Sequence, residues 1–283
     1  MELIFSAALC SVLVSILLKF AKQKGLDALQ MIAWNYAVAS AFSYFWFKPD
    51  LAHISIANTP WGLIVILGIV LPSIFLCLAK SLHTAGILKT EIAQRLSVVL
   101  SLFAAYFFFQ EQFNSLKIIG VMFGISAVLC LIFSRSASDS SALNKQGMFY
   151  LLSVWVGYAL VDILLKYTTS LGLQFAVTLN LMFICSFILS ITYLLVRKTQ
   201  WKIKNFFAGL ALGILNFANI ALYVKAHILL KDSPAVVFAG MNILVVLLGV
   251  IAGLLIFKEK LKGMTVLGLI LGLAGVVCLA LAI

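Results

Sequence analysis

Charged residues are scarce in this sequence. Only 10% of its 283 residues are Asp, Glu, Lys or Arg, and 64% are hydrophobic, with a mean hydropathy of +1.17. A soluble domain has about 25% charged residues and could not bury this much apolar surface. The composition therefore excludes a soluble globular domain and predicts an all-α integral membrane protein with several spans.

Motifs for metal binding, disulfide formation and catalysis are also missing from the sequence. The five cysteines lie singly inside apolar runs without a CxxC, and the three histidines are isolated. The sequence contains no Ser/His/Asp arrangement, no glycine-rich phosphate loop and no ATP-binding motif. We expect no metal, no other cofactor and no enzymatic activity, and we expect any transport to be driven by a gradient or by exchange.

The net charge is +11, and its distribution argues against nucleic-acid binding. The lysines and arginines lie in short gaps between apolar runs, which is typical of orientation signals and of contacts with lipid headgroups in the bilayer. Fourteen of the twenty lie in odd-numbered gaps, five lie in even-numbered gaps, and Arg95 lies inside a run. The positive-inside rule then predicts a multi-pass protein of the cell (inner) membrane with both termini outside the cytoplasm.

Ten segments reach the length of about 20 apolar residues that a membrane span needs. The longest polar gap, 135–146, is rich in serine and predicts a linker between a first unit, 1–134, and a second unit, 147–283. The predicted spans are 2–20, 28–47, 60–79, 86–109, 115–134, 147–166, 173–196, 205–226, 234–257 and 262–282.

The two predicted units repeat each other in sequence. ILLKF at 16–20 recurs as ILLKY at 163–167, and FFQEQF at 108–113 recurs as IFKEKL at 256–261. The offset is 147 residues for the first pair and 148 for the second, and a nearly constant offset predicts two copies of a five-span unit. Because five is odd, the second copy enters the membrane from the opposite side. Inverted repeats of this kind are typical of secondary transporters, with the substrate site at the midplane.

Glutamates and glycines recur with the same offset. Glu111 aligns with Glu259, and we expect both glutamates to fix the turns that follow the fourth and ninth spans. Four pairs of glycines are spaced four residues apart, so each pair lies on one helix face and predicts close helix packing. These pairs are Gly120 with Gly124, Gly209 with Gly213, Gly249 with Gly253, and Gly268 with Gly272.

The turn glutamates and the glycine-rich spans after them resemble those of a known family. The segments are FFFQEQFNSLKIIGVMFG at 107–124 and LLIFKEKLKGMTVLGLILG at 254–272. Together with the ten predicted spans, they resemble the drug/metabolite transporter superfamily in its EamA-like branch. The resemblance implies a metabolite exporter or exchanger without identifying the substrate. Its better-known members keep both termini in the cytoplasm, whereas the charge distribution favours the opposite orientation.

Polar residues interrupt the predicted fourth span. Glu91 and Arg95 are spaced i, i+4 and share a helix face, so we expect their charges to pair, with Gln94 beside them. A lone charge at the centre of a spanning helix costs about 2.5–3.5 kcal/mol even on an insertion scale. The pair is either a structural lock between helices or part of a cavity. The repeat places neutral Asn242 at the position of Arg95, so the fold itself does not require an arginine there.

The predicted sixth span carries a second polar set. Tyr158, Asp162 and Lys166 are spaced i, i+4, i+8 on one face. Lys166 lies at the helix end, where its side chain can reach the membrane interface. Asp162 lies deeper, and its counterpart in the repeat is Ser15, which favours a functional role for the acid.

Amide and aromatic side chains recur in the remaining spans. Each one alone is more typical of hydrogen bonds between helices than of a ligand contact. Taken together, on the spans that line the centre of this architecture, they predict one polar cavity. These residues are Asn216, Asn219 and Tyr223 in a single stripe, with Asn242, Asn180 and Trp34.

The sequence thus favours a secondary transporter for a small polar solute. Acids, bases, amides and aromatics suit a zwitterionic or anionic metabolite such as an amino acid, with protons as a candidate coupling ion. A flippase for a lipid-linked or amphipathic molecule and a non-transporting membrane scaffold stay open as alternatives. A flippase would need a lateral opening between helices, and a scaffold would tolerate apolar residues in place of Glu91, Arg95 and Asp162.

Overall fold

A computed structural model describes residues 2–52, 54–55, 59–109, 114–133 and 141–282. Within these ranges the chain is all-helical and has no strand, so the predicted all-α class is confirmed. The α-helices are α1 (Glu2–Gln23), α2 (Ala28–Phe47), α3 (Trp61–Thr84), α4 (Ile87–Arg95), α5 (Ser97–Phe109), α6 (Ser115–Phe133), α7 (Ser141–Ser170), α8 (Phe175–Val196), α9 (Ile203–Leu229), α10 (Pro234–Ile251) and α11 (Gly263–Leu281), and a π-helical turn at Ala252–Ile256 extends α10.

Eight helical segments in the described ranges are long and apolar enough to cross a membrane. They are α1, α3, α6, α7, α8, α9, α10 with its π-helical turn, and α11. Helices satisfy their own backbone hydrogen bonds, which lipid cannot do, so this architecture suits a bilayer. The other two predicted spans are α2, which buries the polar Gln30, Asn35 and Ser43, and the shorter pair α4 and α5.

The predicted span 86–109 is not one continuous helix, because it is interrupted at Leu96. The freed backbone oxygen of Leu96 accepts hydrogen bonds from Trp155 Nε1 at 3.0 Å and from the Val99 amide at 3.1 Å. Ser97 Oγ donates to the Gln94 oxygen at 2.7 Å, and such local side-chain bonds compete with helical pairing. The break therefore lies inside the bundle with the Leu96 oxygen satisfied.

Helix α4 begins against a carboxylate from the far end of the chain. Glu259 accepts hydrogen bonds from the amides of Ile87 at 2.7 Å and Leu88 at 3.2 Å, and it forms an ion pair with Lys19. An anion at a helix N-terminus is stabilised by unpaired amides and by the helix dipole. The expected turn role of Glu259 therefore includes a cap on another helix, while Glu111 lies outside the described residues.

The expected linker, 135–146, is described only from residue 141 onward. There α7 has already begun, at Ser141, so this helix is longer than the predicted span 147–166. The first part of the expected linker, 135–140, lies outside the described residues.

Small residues bring the helices together. Helix α9 packs against α1 and α2, α3 packs against α7 and α8, and α11 packs against α6. A Cβ added at Gly209 would lie 2.6 Å from the Cβ of Trp34, and one added at Gly120 would lie 3.1 Å from the Gly275 oxygen. The packing role predicted for these glycines is confirmed.

We expect Gly213→Ala to lower thermal stability. The added Cβ would lie 2.6 Å from Val38 Cβ and 3.0 Å from the backbone oxygen of Asn35, so α2 and α9 would have to separate. Overpacking of this kind costs about 1–3 kcal/mol. Gly62→Ala is the matched control, because nothing lies within 4 Å of its added Cβ. Thermal unfolding in detergent should show a lower Tm for the first variant only, and equal Tm values would contradict the packing role.

Candidate functional site

A cavity of about 480 Å³ lies inside the bundle. Its wall includes both sides of the break between α4 and α5, the middle of α2 and α3, and parts of α7, α8, α9 and α10. The cavity is thus lined by residues from both predicted units. It is large enough for a small organic molecule.

The structure brings eight of the eleven predicted site residues to this cavity. They come from four separate segments of the chain, and the break in the fourth predicted span supplies two of them. The eight are Gln94, Arg95, Tyr158, Asp162, Asn216, Asn219, Tyr223 and Asn242.

Arg95 lines the cavity and makes a hydrogen bond to α1. Its Nη2 donates to Ser11 Oγ on α1 at 2.5 Å, and its buried Nε has no hydrogen-bond partner. The expected ion pair with Glu91 is wrong, because no salt bridge joins these two described residues. Arg95 is the last residue of α4, so its side chain extends across to α1 instead of back along its own helix.

Glu91 lies behind the cavity wall. The residue is fully buried, and neither carboxylate oxygen has a hydrogen-bond partner. Its Cγ would lie 3.0 Å from a Cβ added at Gly249, so the glycine of α10 makes room for this side chain. Glu91 therefore fills a tight space between α4 and α10 and does not line the cavity.

Asp162 supplies the acidic group of the cavity. Its Oδ2 accepts a hydrogen bond from Ser101 Oγ of α5 at 3.2 Å, and its side chain is accessible. Asp162 and Arg95 line the same space without forming an ion pair with each other. Two opposite charges on one cavity that do not neutralise each other can each receive a group of a ligand.

The asparagines of the cavity already make some hydrogen bonds within the protein. Asn216 Nδ2 donates to Asn35 Oδ1 of α2 at 3.1 Å, and Asn242 Nδ2 donates to the Phe238 oxygen of its own helix at 2.8 Å. The buried Oδ1 of Asn219 has no partner among the described residues. These amides therefore combine helix packing with some free capacity to hydrogen-bond a ligand.

Two further predicted residues pack helices together and do not line the cavity. Asn180 Nδ2 donates to the Ser40 oxygen at 3.0 Å and to Ser43 Oγ at 2.8 Å, which joins α8 to α2. Trp34 packs against aromatic rings, with 4.8 Å between its centroid and that of Phe206.

Sequence reasoning missed the aromatic wall of the cavity. Tyr36 lines it, with Phe75 and Phe183 at ring-centroid distances of 6.3 and 6.0 Å. Tyr36 lies two residues after Trp34, so the two rings project from different faces of α2. With 22 phenylalanines in the sequence, nothing distinguishes those of the cavity from those that face lipid.

Among the described residues, no three His, Cys, Asp or Glu side chains lie together as metal ligands would.

Comparison with known proteins places the chain in a family. The model of the EamA-like transporter family matches residues 2–133 and again residues 145–281. An uncharacterized protein of Haemophilus influenzae is 40% identical over 285 residues, which cover 98% of this chain and 97% of that protein.

A solved crystal structure has a similar fold. It superposes with a TM-score of 0.61 at 15% sequence identity and covers 99% of this chain and 96% of its own. At that identity the likeness concerns the fold alone. The family matches, however, cover nearly the whole chain. The chain therefore belongs to the EamA-like transporter family, whose members are membrane transporters of the drug/metabolite type and not enzymes.

Proposed function

We propose that the protein is a secondary transporter that moves a small zwitterionic or anionic metabolite, such as an amino acid, across the cell membrane by alternating access. The observation that carries this proposal is the presence of Arg95 and Asp162 on one cavity without an ion pair between them. The guanidinium fork matches a carboxylate bidentately. Asp162 and the free Oδ1 of Asn219 would accept hydrogen bonds from an ammonium group.

The rest of the cavity suits the remainder of such a molecule. Tyr36, Phe75 and Phe183 form an aromatic wall against which a carbon side chain would pack, and the buried hydroxyl of Tyr36 has no hydrogen-bond partner among the described residues. A volume of about 480 Å³ suits a small solute better than a lipid with two acyl chains. These features favour a metabolite over the amphipathic cargo of a flippase.

The proposed architecture consists of ten transmembrane helices in two inverted five-helix repeats. The repeats would span 1–134 and 147–283, with α7 extending back to Ser141. The family model matches the chain twice, once in each proposed repeat, which supports this division. In this scheme α4 with α5 forms the fourth transmembrane helix, and α4 starts 147 residues before α10, in agreement with the offset of the repeats.

Alternating access requires the two ends of the bundle to open in turn. At the end where α4 begins, Lys19, Glu259 and the amides of Ile87 and Leu88 hold the first unit against the second. We infer that these contacts separate when the cavity opens to that end. The cavity-lining parts of α7, α8, α9 and α10 lie toward the opposite end.

Arg95 is expected to anchor the acidic group of the substrate. A thermal-shift screen of the purified protein against metabolites should yield a carboxylate or phosphate compound that raises Tm, because a ligand of the folded state stabilises it. Arg95→Lys should weaken the binding of that compound. Arg95→Gln should lower its affinity by roughly 10- to 100-fold or more, as expected for lost charge-assisted hydrogen bonds.

The control for Arg95 is Arg197→Gln, which removes an exposed arginine outside the cavity. Arg95 has no ion pair with Glu91, so Arg95→Gln should keep a Tm near that of the wild type without ligand. Unchanged binding by Arg95→Gln would place the anchor elsewhere. A hit without any acidic group would contradict the proposed substrate class.

Asp162 is expected to serve transport and not folding. Asp162→Asn keeps the shape of the side chain and its contact with Ser101 Oγ but removes the charge. In proteoliposomes this variant should lose most uptake of the compound found in the screen while keeping its Tm. If Asp162 also carries a coupling proton, the residual uptake should lose its pH dependence. The control is Asp232→Asn, which changes an exposed aspartate in a turn. A wild-type uptake rate for Asp162→Asn would show that the role of Asp162 is structural.

The distribution of basic residues favours an inner-membrane orientation with both termini outside the cytoplasm. A C-terminal fusion to a reporter active only in the cytoplasm should therefore give a weak signal. A paired fusion to a reporter active only outside the cytoplasm should give a strong one. The reverse pattern would overturn this orientation and leave the inverted repeat unaffected.

A further inference from the structure

A second cavity, separate from the candidate substrate site, lies between α1, α3 and α7. We name it the basic cleft, and its volume is about 310 Å³. Its polar wall consists of Lys22 in the last turn of α1, Lys80, His83 and Thr84 in the last turns of α3, and Gln146 and Tyr150 in the first turns of α7. The cleft therefore opens where three helices reach the same end of the bundle.

The basic cleft carries positive charge without a matching carboxylate. No Asp or Glu is among its lining residues, and no salt bridge joins Lys22 or Lys80 to a described carboxylate. Both lysine side chains are exposed. Two ammonium groups around a concave space create an electrostatic site for an anion.

Two contacts hold basic groups in place at the cleft. Lys80 Nζ lies 5.2 Å from the centroid of the Tyr150 ring, within the range of a cation–π contact. His83 Nε2 donates to the backbone oxygen of Leu18 at 3.2 Å, which ties its ring to α1. Lys80 and His83 are therefore held at the cleft by contacts with α7 and α1.

The floor of the cleft is apolar. On α3, Leu76 and Ala79 precede Lys80 and His83 along one face, and Leu18 of α1 faces them. The cleft thus changes from apolar to basic along the helix axis, toward the helix ends. A phospholipid has the same order, with acyl chains below the glycerol and the phosphate above it.

We propose that the basic cleft binds the phosphate group of an anionic phospholipid. Basic pockets between transmembrane helices are known sites for anionic lipid headgroups. In the proposed complex the phosphate lies between Lys22 and Lys80, Gln146 donates to it from α7, and an acyl chain packs along Leu76. The neighbouring Phe149 is 63% exposed, so the outer surface beside the cleft is apolar and faces lipid.

The cleft does not duplicate the substrate cavity. Helix α3 lines the cavity with Leu71, Ile74 and Phe75 and lines the cleft only from Leu76 onward, and no residue lines both. Free inorganic phosphate is an anion like a lipid headgroup, but it has no acyl chain that could pack against the apolar floor of the cleft. This difference separates the two sources of a phosphate group in an experiment.

The test measures thermal unfolding of the full-length protein in a non-ionic detergent. Phosphatidylglycerol should raise Tm, whereas phosphatidylcholine with the same acyl chains and inorganic phosphate should not. Lys22→Gln with Lys80→Gln should shift the midpoint of the phosphatidylglycerol titration to about 30-fold higher lipid, as expected when two lysines near an anionic headgroup are lost.

The matched control is Lys24→Gln with Lys260→Gln, which removes the same charge from exposed lysines outside the cleft. This variant should respond to phosphatidylglycerol as the wild type does. If both double variants lost the response to phosphatidylglycerol equally, the lipid would be attracted by the overall positive charge, and the proposed site would be wrong. If inorganic phosphate raised Tm as much as phosphatidylglycerol does, the cleft would bind a soluble anion, and the proposed lipid would be wrong. If the first double variant does not fold, Lys22→Gln alone, at an exposed side chain, gives the same comparison.

Discussion

The capped start of α4 is the constraint on which the candidate site depends. A helix of nine residues is marginal by itself, because its nucleation cost is spread over few hydrogen bonds. The Glu259 carboxylate stabilises its first amides, and Trp155 satisfies the backbone oxygen just beyond its end. These two contacts fix both ends of α4. They therefore determine where Gln94 and Arg95 enter the bundle.

The cavity shows how a membrane protein keeps charge available at depth. An ion pair between Arg95 and Asp162 would lower the cost of burial but would also occupy the groups that a ligand needs. In this structure each charge rests on a serine hydroxyl instead, Ser11 for the arginine and Ser101 for the aspartate. A hydroxyl solvates a charge without neutralising it, so each group stays available for a charged partner.

Periodicity and repetition were enough to predict the helical membrane class and most of the polar lining of the cavity. They did not predict the break at Leu96, because that depends on a hydrogen bond from Trp155, 59 residues away. The predicted ion pair between Glu91 and Arg95 is wrong for a similar reason. An i, i+4 spacing permits a contact, but a nearby serine on α1 competes for the guanidinium. Asn180 has the same residue type as Asn219, and only its neighbours, Ser40 and Ser43, show that its donor is used for packing.

Pro72 lies inside α3, between the turns that line the cavity. A proline in a helix has no amide hydrogen, so the carbonyl of Gly68 lacks its usual partner and the helix resists bending least at that point. Lys80 and His83 lie near the end of α3 and line the basic cleft, whereas Leu71, Ile74 and Phe75 shape the cavity. The cavity wall on α3 is therefore built where the backbone of this helix is held least firmly, and Leu71 and Ile74 lie on either side of that point.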